Sequence, residues 1–334
     1  LQTLKVVDQF SGRQLGVRAD MTSQAVRVDA HSLRSDNVQR YCYAGPVVFA
    51  KPQGNQTSRV PLKAGAEIFG ASGIAADAEV IGLMLEALQE ANMHSPVLLL
   101  GHMGIYLGLV EQLLAEGRLD EARRSALFAC IQRKGASDIR DLLDDSTTAA
   151  MLAALPDLMG DIGVLESARE ALQQAPEGVL AALQELQELS TMVKARYPQV
   201  DLRIDVSELS GYGYHNGPVF AVYHPQHGSA LAQGGRYDGV GDAFGRGRAA
   251  TGFDMNLKQL MANAFEQSGA YFAPYAADES QAGLAVFVKA LRDQGHRVIV
   301  AVAEDEQSPQ DCLGTLVHDQ DGWQVRPTIT APNE

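Results

Sequence analysis

The sequence predicts an α+β fold: an antiparallel sheet flanked by helices and split by a helical insertion, followed by a small C-terminal α/β piece. Three observations predict it. Short alternating or apolar runs cluster at 41–49, 62–69 and 96–100, then return at 202–206, 217–223 and 229–233. Between the two groups, residues 105–199 are dominated by Leu, Ala, Glu and Gln, with Val179, Leu183, Leu186 and Val193 in one helical stripe. Near the end, a helical run at 284–292 precedes an apolar strand at 297–302. The expected units are 1–104 with 200–268 as the sheet domain, 105–199 as the insertion, and 275–334 as the C-terminal unit.

Each element has a local reason. Residues 15–18 form a brief extended run. YCYAGPVVF at 41–49 mixes aromatic and β-branched residues around Gly45-Pro46, a turn signal. Residues 62–69 read as the return strand, which makes 51–61 a long polar hairpin loop. Val80, Leu83, Met84 and Leu88 recur at helical spacing, and PVLLL at 96–100 reads as a buried strand. The stripe at 179–193 is too short for a partner-binding coiled coil, so it reads as core packing. The strand at 229–233 runs into a Gly234-Gly235 turn, and 251–260 passes from strand to helix.

Composition excludes several classes. The chain has 334 residues, 46% of them hydrophobic, enough for two cored domains and against disorder. Lys and Arg number 27 against 41 Asp and Glu, a net charge of −14. Such a surface repels phosphate backbones, so neither nucleic acid nor an anionic membrane is an expected partner. Three scattered cysteines, Cys42, Cys130 and Cys312, argue for a reducing cytoplasm and against a disulfide framework or a Cys-based zinc site. No apolar run is long enough for a membrane span. The chain starts at Leu1 without a basic-then-apolar leader, so the expectation is no export signal and some N-terminal sequence missing.

Weak motifs have plain readings. Gly239, Gly241 and Gly245 lack the βαβ context of a dinucleotide loop. Gly245-Arg246-Gly247-Arg248 reads as a mobile loop. His94, His102, His224, His227 and His296 show no metal-ligand spacing backed by carboxylates, so no metal is expected. Glu304-Asp305-Glu306 is a solvated run.

Three segments carry more. GVRADMTSQAVRVDAH at 16–31 is similar to the extended LRPEGT segment of histidyl-tRNA synthetases. Residues 40–70 are similar to their motif 2 strand-loop-strand. Residues 210–260 include QGGRYDG at 233–239, similar to the family's AGGRYDG, and Thr251-Gly252-Phe253, which begins its motif 3. In this order the segments resemble the catalytic domain of histidyl-tRNA synthetase over roughly residues 1–265. The resemblance implies the class II aminoacyl-tRNA synthetase fold.

The departures bear on activity. A synthetase must stabilise charge while a carboxylate attacks phosphorus, and preorganised cations each contribute about 10²–10³ in rate. Where the family carries its motif 2 Arg, this chain has Phe49, and Lys51 replaces a Glu two residues on. Ser210 stands at the leading Arg of the segment similar to RGLDYYN, and Gln259 falls where motif 3 ends in Arg. Loss of these guanidiniums predicts no adenylation. Lys51, Arg59 and Lys258 are the cations nearby in sequence, and the two lysines are point charges without the bidentate fork of a guanidinium. No catalytic residue and no cofactor are expected.

The amino-acid side is better kept. The resemblance places Asp20 at the acid that receives the α-ammonium, and Thr22 at the family's Thr. Glu67 matches the acid of the histidine pocket. Tyr214 and Tyr237 match aromatic positions near the substrate, His215 replaces a second Tyr, and Lys63 stands where the family has Gln. Hence Asp20, Thr22, Lys63, Glu67, Tyr214, His215 and Tyr237 are the candidate histidine-binding residues. The plainer alternative is a set of polar core residues tied into hydrogen bonds. The tail is also shorter and less basic than an anticodon-binding domain needs.

A synthetase-like domain without phosphate cations resembles the regulatory subunits of ATP phosphoribosyltransferase. That resemblance implies a homodimer assembled with a short-form catalytic subunit into a hetero-octamer, activating that partner and mediating feedback inhibition by histidine in histidine biosynthesis. Three alternatives stand beside it: an active or truncated synthetase, an RNA-binding paralogue, and a scaffold that binds no small molecule.

Overall fold

Alternation of side chains along the strands builds the larger of two units, Leu1–Leu260 and Met261–Glu334. A computed structural model describes residues 3–52, 58–143, 145–209, 214–225, 227–265, 269–276, 280–309, 312–320 and 322–328. The larger unit starts with a hairpin of β1 (Lys5–Val7) and β2 (Gln14–Gly16), then α1 (Thr22–Arg27). β3 (Gln39–Pro46), β4 (Leu62–Phe69), α2 (Ile74–Glu90) and β5 (Val97–His102) follow. Next come α3 (Met103–Ala115), α4 (Glu121–Gln132), α5 (Ala136–Leu142), α6 (Thr147–Ala154), the short β6 (Met159–Gly160), α7 (Val164–Ala171) and α8 (Glu177–Arg196). β7 (Asp201–Asp205), β8 (Pro218–Tyr223), β9 (Ala232–Arg236) and β10 (Ala250–Asn256) complete it, and α9 (Leu257–Phe265) begins in it and runs past its last residue.

Strands β3 to β10 form one eight-stranded sheet in the order β3-β4-β10-β9-β8-β5-β7-β6. All neighbours are antiparallel except β5 and β7, which run parallel. A parallel pair needs a long crossover. Helices α3 to α8 supply it, so the helical segment links two adjacent strands. The stripe Val179, Leu183, Leu186 and Val193 is buried on α8, in one apolar cluster with Leu109 and Leu113 of α3 and Leu98 and Leu100 of β5. Glu177 in the first turn of α8 and Lys194 and Arg196 in the last complement its dipole.

The sheet has an apolar face and a polar face. On β4, Ala64, Ala66 and Ile68 pack into the helical core, as do Phe253 and Met255 on β10. Alternation turns Lys63, Gly65 and Glu67, and with them Gly252, Asp254 and Asn256, to the other side. The candidate residues Lys63 and Glu67 stand on that second face.

Two turn expectations are corrected. Gly45-Pro46 lies inside β3, where Pro46 pairs with Leu62; β3 is an edge strand, and an edge tolerates a residue without an N–H. Gly234-Gly235 lies inside β9, because a Cβ at Gly234 would come within 2.2 Å of the Gly252 carbonyl. The glycines permit close strand approach rather than reversal. The Arg246–Arg248 segment is anchored rather than loose. Arg246 donates to the Asp29 carbonyl at 3.1 Å, Arg248 to the Asn37 carbonyl at 2.7 Å, and both pair with the buried Asp29 carboxylate.

The smaller unit holds β11 (Tyr271–Ala273), α10 (Ser280–Asp293), β12 (Val298–Val300), β13 (Gly314–Asp319) and β14 (Gly322–Pro327), in the order β12-β11-β13-β14. Leu284, Val288 and Leu291 of α10 pack on Ala273 and Leu316. The helix and β12 match expectation. β11 is too short for periodicity to reveal, and the β13–β14 hairpin was not foreseen. No helix among the described residues is long and apolar enough to cross a membrane.

Candidate functional site

Glu67 is the centre of the polar face. It is 1% exposed, and three hydroxyls converge on it: Thr22 Oγ1 at 2.8 Å and Tyr43 at 3.1 Å on Oε1, Tyr237 at 2.6 Å on Oε2. Gly252 stands opposite it on β10, and a Cβ there would fall 1.5 Å from Glu67 Oε2. The carboxyl can occupy this place only because that position is glycine. Burial pushes the Glu67 carboxyl up to about 8, against the pull of the three hydroxyls. The same burial, reinforced by the Glu67 charge, holds the Tyr43 and Tyr237 phenols above their usual range.

Asp20 lies just before α1, and its Oδ1 accepts from the Thr22 amide at 3.1 Å. This turn fixes the Thr22 hydroxyl toward Glu67. Asp20 is buried and its pKa is raised, chiefly by desolvation and further by the charge of Asp254. The Tyr214 ring lies 4.9 Å from that of His215 and meets Tyr237 edge-on at 5.8 Å. Burial pushes the His215 imidazole down to about 4, so it is neutral, and its Nδ1 has no hydrogen-bond partner among the described residues. Lys63 forms an ion pair with Asp254 on the neighbouring strand.

Two cavities open on this face. One of about 20 Å³ is lined by Thr22, Glu67, Tyr214, His215, Tyr237 and Asp254, among others. A second, of about 220 Å³, is lined by Phe49, Lys63, Ser229, Asn256 and Gln259. Asp254 and Gln233 belong to both. The expected residues therefore divide: Thr22, Glu67, Tyr214, His215 and Tyr237 share the first cavity, Asp20 supports it from beneath Thr22, and Lys63 lines the second. Of the positions where the catalytic residues of the resembled family are replaced, Phe49 and Gln259 line the second cavity; Lys51 is exposed and lines neither. Ser210 lies outside the described residues. Arg59 donates to the Phe49 carbonyl at 3.0 Å and Lys258 to the Val60 carbonyl at 2.7 Å, so neither lines the second cavity.

Residues of the two cavities that escaped the sequence reading include Tyr43, beside Glu67, and Gln233, Gly252, Asp254, Ser229 and Asn256. The register carries the missed signal. Gly252, Asp254 and Asn256 alternate with Phe253 and Met255, just as Lys63 and Glu67 alternate with Ala64 and Ile68. Arg236, at the centre of the GGRYDG run, serves the scaffold. It pairs with buried Asp77 at 2.7 Å and donates to the carbonyls of Ala71 and Gly73 at 3.1 Å each.

The mainly antiparallel sheet, with Glu67 buried at one cavity and the Lys63–Asp254 pair lining the next, agrees with the class II synthetase fold that the resemblance implies. The histidyl-tRNA synthetase family model matches residues 1–260, and the model of the ATP phosphoribosyltransferase subunit HisZ C-terminal domain matches residues 268–326. An ATP phosphoribosyltransferase regulatory subunit from Pseudomonas syringae is 42% identical over 98% of this chain and 83% of its own length. A solved ATP phosphoribosyltransferase regulatory subunit/histidyl-tRNA synthetase from Bacillus halodurans is 26% identical with a TM-score of 0.72, over 92% of this chain and 79% of that one. A chain of the Thermotoga maritima ATP phosphoribosyltransferase complex shares the fold, with a TM-score of 0.58 and 18% identity over 75% of this chain and 84% of that one. This chain belongs to the family of ATP phosphoribosyltransferase regulatory subunits.

Proposed function

We propose that this chain is the non-catalytic partner of a short-form ATP phosphoribosyltransferase catalytic subunit in the cytoplasm, and that it senses free histidine. In this reading it is a homodimer within a hetero-octamer, activates its partner, and transmits feedback inhibition. One observation carries the reading. The amino-acid cavity keeps Thr22, Glu67, Tyr214 and Tyr237, while Phe49 and Gln259 stand on the wall of the adjoining cavity where a synthetase would hold its phosphate-gripping guanidiniums. Charge-assisted contacts to phosphate contribute about 1.5–3 kcal/mol each, so their loss removes adenylation before it removes amino-acid binding.

Linkage supplies the regulatory logic: histidine that binds more tightly to one arrangement of the complex stabilises that arrangement over the others. A coupling of about 1–3 kcal/mol between this site and the partner's active site gives substantial inhibition. By reciprocity, the partner's substrates must shift histidine affinity by the same factor. Calorimetric titration with histidine separates this reading from a scaffold that binds nothing. Pyrophosphate exchange with histidine and ATP separates it from an active synthetase, and salt-dependent tRNA binding from an RNA-binding paralogue.

A further inference from the structure

The two cavities are joined at one ion pair. Lys63 on β4 lies opposite Asn256 of β10, and Asp254 lies opposite Gly65, so Lys63 and Asp254 are diagonal neighbours on the same face. The Lys63 ammonium contacts Asp254 Oδ1, and both side chains are largely buried. Asp254 also lines the small cavity beside Glu67 and Thr22. Among the described side chains lining either cavity, Lys63 is the single lysine or arginine.

This arrangement leaves an incoming ammonium few carboxylates. Glu67 already accepts from three hydroxyls, and Asp20 is engaged with the Thr22 amide. Asp254 is the remaining acid that faces the cavity, and it is neutralised from the other side. We propose that the Lys63 ammonium is an internal competitor for the ligand's α-ammonium, occupying Asp254 until an amino acid displaces it. The proposal rests on the reading of the small cavity as an amino-acid pocket. The displaced ammonium has somewhere to go. The 220 Å³ cavity on its own side offers the Gln259 side-chain oxygen, and the second lone pairs of Ser229 Oγ and Asn256 Oδ1, which accept from Gln259 Nε2 and the Lys258 amide. Lys63 thus lowers the affinity for free histidine, and its movement transmits occupancy of one cavity to the other.

The test is calorimetric titration of the full chain with two probes: L-histidine, and 3-(imidazol-4-yl)propionate, which keeps the imidazole and carboxylate but lacks the ammonium. Lys63→Gln leaves Asp254 uncompensated and should bind histidine about tenfold more tightly, in line with the strength of a charge-assisted hydrogen bond. It should bind the propionate no more tightly than the unaltered chain does. Lys63→Met should act in the same direction, which guards against a folding defect in one variant. If the unaltered chain binds histidine and neither variant binds it more tightly, the competitor role is overturned and the pocket stands. Equal tightening toward both probes also overturns it, because the effect would not concern the ammonium. If none of the three proteins binds histidine, the pocket reading fails and the proposal fails with it.

Discussion

The Tyr237 hydroxyl reaches across Gly252 to donate to Glu67 Oε2 at 2.6 Å, joining the end of β9 to β4 over the intervening strand β10. Both residues are buried, so the bond has no water to replace it. Tyr237→Phe should cost about 1–3 kcal/mol of stability, the penalty for leaving a buried acceptor short of a donor. Denaturant unfolding measures it. Histidine affinity should fall in the same variant, because Glu67 loses the contact that fixes its orientation.

Gly252→Ala tests the space that the carboxyl occupies. A methyl group there overlaps Glu67 Oε2, and the backbone of Ala66 blocks retreat, with its carbonyl 2.7 Å from the added carbon. The expected loss is about 1–3 kcal/mol with a folded product. Titration of that product with histidine should give no measurable heat.

Stability should depend on pH through Glu67. Its folded pKa, about 8, lies above the ordinary value of 4.5, so the folded state holds a proton that the unfolded state releases between those limits. The contribution is fully present below about pH 4.5 and is lost as pH rises through 8. His215 acts with the opposite sign. Its pKa, lowered to about 4 from 6.5, removes stability as pH falls from 6.5 toward 4. Between pH 6.5 and 8.5 the Glu67 effect stands alone of the two. Unfolding free energy should decline there by an amount on the order of a few kcal/mol, and Glu67→Gln should flatten the slope.

Arg236→Leu should be the most damaging single change of this set. It strands the buried Asp77 carboxylate, and removing one partner of a buried pair costs about 3–5 kcal/mol. Asp77→Leu combined with Arg236→Leu should recover part of that loss. Thermal melting of the two variants checks the difference.

Where sequence and structure agree, local periodicity is the reason. The four apolar residues at helical spacing on α8 are all buried, and LKAGAEIF at 62–69 forms β4 at the same bounds. Where they part, tertiary context decides. Gly45-Pro46 and Gly234-Gly235 have the composition of turns, yet the sheet places one pair at its edge and the other where backbones come close. The parallel pairing of β5 and β7 depends on a crossover of helices that no short window contains. Part of the candidate site was legible by resemblance, in that Thr22, Glu67, Tyr214, His215 and Tyr237 line one cavity. Asp254 and Tyr43 were not, because their roles arise only when register places them beside Lys63 and Glu67. Lys63 itself falls on the far side of Asp254, a position that a match along the chain does not reveal.

Histidine sensing on behalf of a catalytic partner, the role proposed for this chain, is decided by the turnover of a short-form ATP phosphoribosyltransferase mixed with the purified chain, with and without histidine, for the unaltered protein and for Glu67→Ala. Addition of the unaltered chain should raise turnover and histidine should suppress it, whereas Glu67→Ala should activate but resist suppression. Turnover that ignores the chain, or suppression that survives loss of Glu67, would overturn that role.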